Sequence, residues 1–97
     1  MIEVIDYTID EDMSLFIAWD RDGDPQEDIT ISRKQWCDLL MDLGYIADFH
    51  NEGHVAVEVD GQKYWMSFDQ WVADDMCDRV ALDLLQHMKK ASTTGGL

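Results

Sequence analysis

Five carboxylates fall within nine residues in the stretch D-R-D-G-D-P-Q-E-D at residues 20–28. They are Asp20, Asp22, Asp24, Glu27 and Asp28, answered only by Arg21. Alternating aspartates are the means by which a calcium loop converges oxygen ligands on one hard cation. That loop also needs glycine at its sixth position and glutamate at its twelfth. Counted from Asp20, those positions hold Pro25 and Ile31. The preceding S-L-F-I-A-W has strand rather than helix character, so the segment reads as a solvated loop, and no metal is assigned to it.

Other residues have suitable chemistry without suitable spacing. His50, His54, His87, Cys37 and Cys77 are zinc-ligand types, but no Cys-x-x-Cys or helical His-x-x-x-His occurs, and His50 and His54 flank an expected turn. Glu58, Asp60 and Lys63 have the composition of a nuclease carboxylate–lysine cluster. Their spacing suits the rim of a hairpin equally well. There is no G-x-S-x-G, no phosphate-binding glycine loop and no local Cys/His nucleophile signature. The expectation is a protein that is not an enzyme and carries no cofactor.

The elements that must position the acids are marked by turn signals. Strands are expected over 2–9, 14–19 and 29–31, with the acidic loop before the last of them. Ser32 is an N-cap for a helix over 33–43 that stops at Gly44. The pattern then returns: strands over 45–49, 54–59 and 62–66, a turn at N-E-G (51–53), and a hairpin turn at Asp60-Gly61. Ser67 caps a long helix from Phe68 to about Lys90, with Ala73, Cys77, Val80, Ala81, Leu84, Leu85 and Met88 on its apolar side. Residues 91–97 read as a flexible tail.

Residues 29–41 align without gaps on residues 64–76, pairing Ser32 with Ser67, Gln35 with Gln70, Trp36 with Trp71 and Met41 with Met76. A βββα duplication over 1–44 and 45–90 accounts for this. The fold class expected is α+β: one domain over 1–90, an antiparallel sheet of five or six strands with two helices on one face. Trp36 and Trp71 are expected in the core. Phe16 and Trp65 are expected on the sheet face away from the helices, a surface suited to a homodimer or another partner. Both cysteines read as buried free thiols of a reducing cytosol.

Charge decides among the function classes. The chain has 97 residues, of which 21 are acidic and 7 basic, a net charge of −14. Its 46% hydrophobic content is enough to build a core. The sign of the charge argues against direct binding to nucleic acid or to an anionic membrane, both polyanions. The N-terminus lacks the basic and apolar regions of a secretion signal, and no apolar run is long enough to span a bilayer, so a cytoplasmic location is expected.

Sixteen of the acids are aspartate, whose short side chain holds charge close to the backbone. Asp38 and Asp42 stand i, i+4 on the first helix, with Cβ atoms about 5–6 Å apart. Asp74, Asp75 and Asp78 crowd the second helix. Alternate strand residues are about 6.6 Å apart. These separations are of the scale of backbone phosphates, which rise about 3.4 Å per nucleotide.

A short, Asp-rich, aromatic-containing chain without a catalytic motif resembles the DNA-mimic proteins of bacteriophages, among them anti-restriction and anti-CRISPR proteins. The resemblance lies in overall character and transfers no individual residue. It implies a partner that is a basic nucleic-acid-binding protein, a nuclease or a CRISPR or restriction effector, met in the host cytoplasm. The expected contact residues are Asp20, Asp22, Asp24, Glu27, Asp28, Asp38, Asp42, Asp74, Asp75 and Asp78. An immunity protein or antitoxin against one basic nuclease toxin satisfies the same charge. So do an oligomeric assembly protein and a salt-adapted protein with an acidic surface.

Overall fold

The computed structural model describes residues 1–50 and 53–95, with side chains through Lys89. Most of the N-E-G turn named above, Asn51 and Glu52, lies outside the described residues.

The first half is a meander of antiparallel strands. β1 (Ile2–Ile9) pairs with β2 (Leu15–Arg21), which pairs on its other side with β3 (Asp24–Pro25) and β4 (Ile29–Ile31). β3 and β4 are one line interrupted at residues 26–28, where the Trp19 indole donates to the Glu27 carbonyl at 2.8 Å. In β1 the register slips between Val4 and Asp6, leaving Ile5 bulged and 59% exposed. The slip is what turns Ile2 and Val4, and then Tyr7 and Ile9, to the same core side.

α1 (Arg33–Leu43) follows, closed at its start by a capping box between Ser32 and Gln35 and at its end by Gly44 at φ 86°. Its buried stripe is Trp36, Cys37 and Leu40; Lys34, Asp38, Met41 and Asp42 face solvent.

The second half repeats the plan. β5 (Asp48–His50), β6 (His54–Val59) and β7 (Gln62–Ser67) form a second antiparallel meander, followed by α2 (Phe68–Asp75) with Ser67 as N-cap. With β3 and β4 counted as one interrupted strand, both halves run strand, strand, strand, helix, and the second adds a further helix. The strands do not merge into one sheet as the sequence suggested. They form two, of four and three strands. The partition is set by long-range pairing, for which no local residue pattern speaks.

The long second helix is also two helices. α2 ends at Met76, whose backbone is extended (φ −70°, ψ 133°), and α3 runs Asp78–Gly95. On a single 3.6-residue wheel, Phe68, Trp71 and Val72 fall nearly opposite Val80, Ala81, Leu84 and Leu85. Only a break lets both sets face one core. Charge assists it, since Asp74 and Asp75 oppose the dipole at the end of α2 while Asp78 suits the start of α3. The reset exposes Ala73 and Cys77, which a continuous helix would have buried. α3 also continues to Gly95, into the segment expected as a tail; its side chains from Lys90 onward, and residues 96–97, lie outside the description.

One core joins the halves. Leu15, Ile17, Trp19 and Ile31 from the first sheet meet Trp36 and Leu40, Val55 from the second sheet, Phe68 and Trp71 from α2, and Val80, Leu84 and Leu85 from α3. At its centre Trp36 is fully buried, its ring 4.5 Å from Phe68 and its indole donating to the Met13 carbonyl at 2.8 Å. Phe16 alternates away from Leu15 and Ile17, and Trp65 away from Met66, so both lie off the core side as expected.

Candidate acidic interface

Within the segment 20–28, residues 20–25 are a β-hairpin rather than a loop, and only 26–28 lie outside it. β2 continues through Asp20 and Arg21, Asp22-Gly23 turns with φ 54° and 87°, and β3 returns. Both turn residues have positive φ, the requirement of the type I′ hairpin that an Asp-Gly pair satisfies. Asp60-Gly61 (φ 52° and 83°) does the same between β6 and β7. The hairpin fixes the acids in alternation. Asp20 stands between Glu3 and Pro25, and Asp24 stands opposite Arg21.

Of the ten carboxylates the sequence nominates, nine are exposed and Asp20 is half-buried. They occupy three places. At the hairpin, Asp22 accepts from the α-amino group of Met1, a bond and a charge that hold its carboxyl below the usual value. Asp24, Glu27 and Asp28 make no ion pair among the described residues. Asp28 joins Asp6 beside Phe16 and Ala18 in a shallow depression of about 180 Å3 on the open face of the first sheet. Two cations temper this end. Lys89 lies 4.7 Å and Arg21 5.7 Å from the centre of the Trp19 ring.

On α1, Lys34 pairs with Asp38 at 3.1 Å, and Asp42 stands one turn further along the same solvent face. Lys34 thus relieves the i, i+4 repulsion between the two aspartates. At the α2–α3 break, Asp74 accepts from Gln70 at 2.8 Å, and Asp78 begins α3 close to Tyr7 of β1. Burial raises the Tyr7 phenol above its usual pKa, and the charge of Asp78 adds to the effect. Asp78 and Lys89 are eleven residues apart on one helix, so about 16 Å separates the break from the hairpin end along α3. The ten acids do not form a single cluster.

Asp10 and Asp12 are engaged in structure instead. Asp10 accepts from the backbone N–H groups of Asp12 and Ser14 at 3.2 and 3.1 Å, and Asp12 accepts from Ser14 at 3.0 Å. Together they hold the β1–β2 turn, where Met13 sits at φ 65°.

The break also opens a groove of about 600 Å3, which the sequence reading missed. Its floor is Val57 and Val59 of β6, Trp71 of α2 and Val80 of α3; Tyr45, Asp75, Cys77 and Arg79 form its rim. The Tyr45 phenol donates to Asp83. That bond, with burial and the Asp83 charge behind it, raises the phenol's pKa. Cys77 is exposed here, whereas Cys37 is buried and its thiol is pushed up to about 11 by that burial.

The alternative chemistries find little geometry. Among the described residues no three His, Cys, Asp or Glu side chains converge as metal ligands. His50 and His54 stand opposite each other across β5 and β6, with His50 stacked on Trp65 at 4.4 Å. Glu58 faces Lys63 across the Asp60-Gly61 hairpin, and Lys63 lies 4.0 Å from Asp48. Among the described residues no helix is long and apolar enough to cross a membrane. Compared with known families, characterised proteins and solved structures, the chain finds no match.

Proposed function

We propose that the chain is an acidic, non-enzymatic inhibitor that occupies the nucleic-acid-binding surface of a basic protein, in the manner of anti-CRISPR or anti-restriction DNA mimics. The observation that carries the reading is the state of the acids on the hairpin and in the stretch that follows it. Asp24, Glu27 and Asp28 are exposed and without an ion pair among the described residues; Asp24 is fixed on β3 by its pairing with β2, and Glu27 and Asp28 follow in the stretch that the Trp19 indole ties down at the Glu27 carbonyl. Carboxylates held this way present charge to a partner with little ordering cost. A net charge of −14 raises the rate of encounter with a basic groove.

The test is titration against nucleic-acid-binding defence enzymes, with and without competing duplex, from about 50 to about 500 mM salt. Duplex and salt should each displace the protein. Joint replacement Asp24→Lys, Glu27→Lys and Asp28→Lys should weaken binding by about tenfold or more with the fold intact. Binding indifferent to duplex and to salt removes the groove-occupancy mechanism.

The groove at the α2–α3 break favours a second reading, an immunity protein or antitoxin against one basic nuclease. Such proteins hold a single cognate partner by a few buried anchors, and a concave apolar floor is where an anchor fits. Tight binding to one toxin, with other basic nucleases ignored, distinguishes it from the general mimic.

A further inference from the structure

Trp71 and Val80 beneath the groove are buried, but part of its apolar lining is surface that folding has not used. Val59 remains 51% exposed, and Tyr64, opposite Val57 across β6 and β7, is 50% exposed and extends the same apolar face. A second copy of the chain is a poor occupant, because two bodies of −14 repel each other. Free anions are disfavoured for the same reason. The helices on the groove's flank carry Asp74, Asp75, Asp78 and Asp83 against Arg79, so the complementary occupant is cationic around an apolar centre.

We infer that the groove receives one aromatic or branched aliphatic side chain of a protein partner, flanked by arginine or lysine residues that pair with Asp75 and its neighbours. This rests on the reading that the partner is a basic protein, and adds where selectivity is set. The exposed acids govern how fast a basic surface arrives; the groove governs which one stays.

The test uses two amide-capped peptides of equal charge, Arg-Arg-Trp-Arg-Arg and Arg-Arg-Ser-Arg-Arg, and anisotropy at low salt. The hosts are the wild-type chain, V59S, and wild type alkylated at Cys77 with a bulky maleimide. Cys77 lies on the rim and is exposed while Cys37 is buried, so alkylation fills the groove selectively. The tryptophan peptide should bind wild type about tenfold to a hundredfold more tightly, the ratio expected for burying one large apolar side chain. The preference should shrink in V59S and vanish on alkylation.

Equal, salt-sensitive binding of both peptides overturns the groove assignment and leaves the basic-partner reading standing. Binding of neither peptide sinks both. A preference that survives V59S and alkylation places the apolar contact elsewhere and overturns the inference, as does a dimer of the wild-type chain that V59S dissolves in sedimentation.

Discussion

Replacing Trp36 by phenylalanine tests what the indole at the centre of the core contributes to stability. The ring is fully buried, 4.5 Å from Phe68, and its N–H satisfies the Met13 carbonyl at 2.8 Å. Phenylalanine removes roughly 40 Å3, and at about 24 cal/mol per Å3 of residual cavity the void costs about 1 kcal/mol. Losing the donor to Met13 costs a further ~1–2 kcal/mol, toward the low end because Met13 is only half-buried and water can reach it. The sum is about 2–3 kcal/mol, which for a chain of this length lowers Tm by roughly 10–20 °C. Trp71→Phe is the internal control. Trp71 is equally buried at the corresponding position of the second half, but among the described residues its indole makes no hydrogen bond. Urea unfolding followed by far-UV circular dichroism should show both variants losing stability at unchanged m, with W36F lower by about 1 kcal/mol. Equal losses, or a W36F loss below about 1 kcal/mol, would refute the stabilising role assigned to that bond.

Two more outcomes follow from single side chains. A thiol reagent at neutral pH should modify one cysteine of the native chain rapidly and the second only on unfolding; C77A should abolish the fast phase, and a fast phase persisting in C77A would contradict the exposure of Cys77. Tyr45 has a folded-state pKa raised above 10.0 by its bond to Asp83, so that bond's stabilisation is complete below about pH 10 and is lost as pH rises through the folded value. The stability difference between wild type and Y45F should therefore stay level from about pH 6 to 9 and narrow above about pH 10; a difference independent of pH up to about 11.5 would break the link.

Where the sequence was legible, the signal was local. Ser32, Gly44, Ser67 and Asp60-Gly61 each named their own cap or turn, and the strand over 2–9 emerged with both ends correct. The same Asp-Gly pair at 22–23 passed as loop because the density of charge around it invited a chemical reading first. The helix break was written in the opposed apolar faces of Phe68-Trp71-Val72 and Val80-Ala81-Leu84, yet no glycine or proline marks it. The slip of apolar alternation at Ile5 likewise announced the bulge. The partition into two sheets carried no such mark. Exposure of the nominated acids followed from their chemistry. Their distribution over three places, and a groove assembled from β6, α2, α3 and Tyr45, depend on tertiary placement that no single segment encodes.

The ring that closes over Trp36 has a consequence for how the two halves relate. Phe68 occupies the alignment slot held by Arg33 in the first half, and it alone of the two is buried. The second half therefore supplies the ring that covers the tryptophan of the first. The first half has no aromatic ring in that slot, so whatever ancestry the halves share, they are not interchangeable in this core.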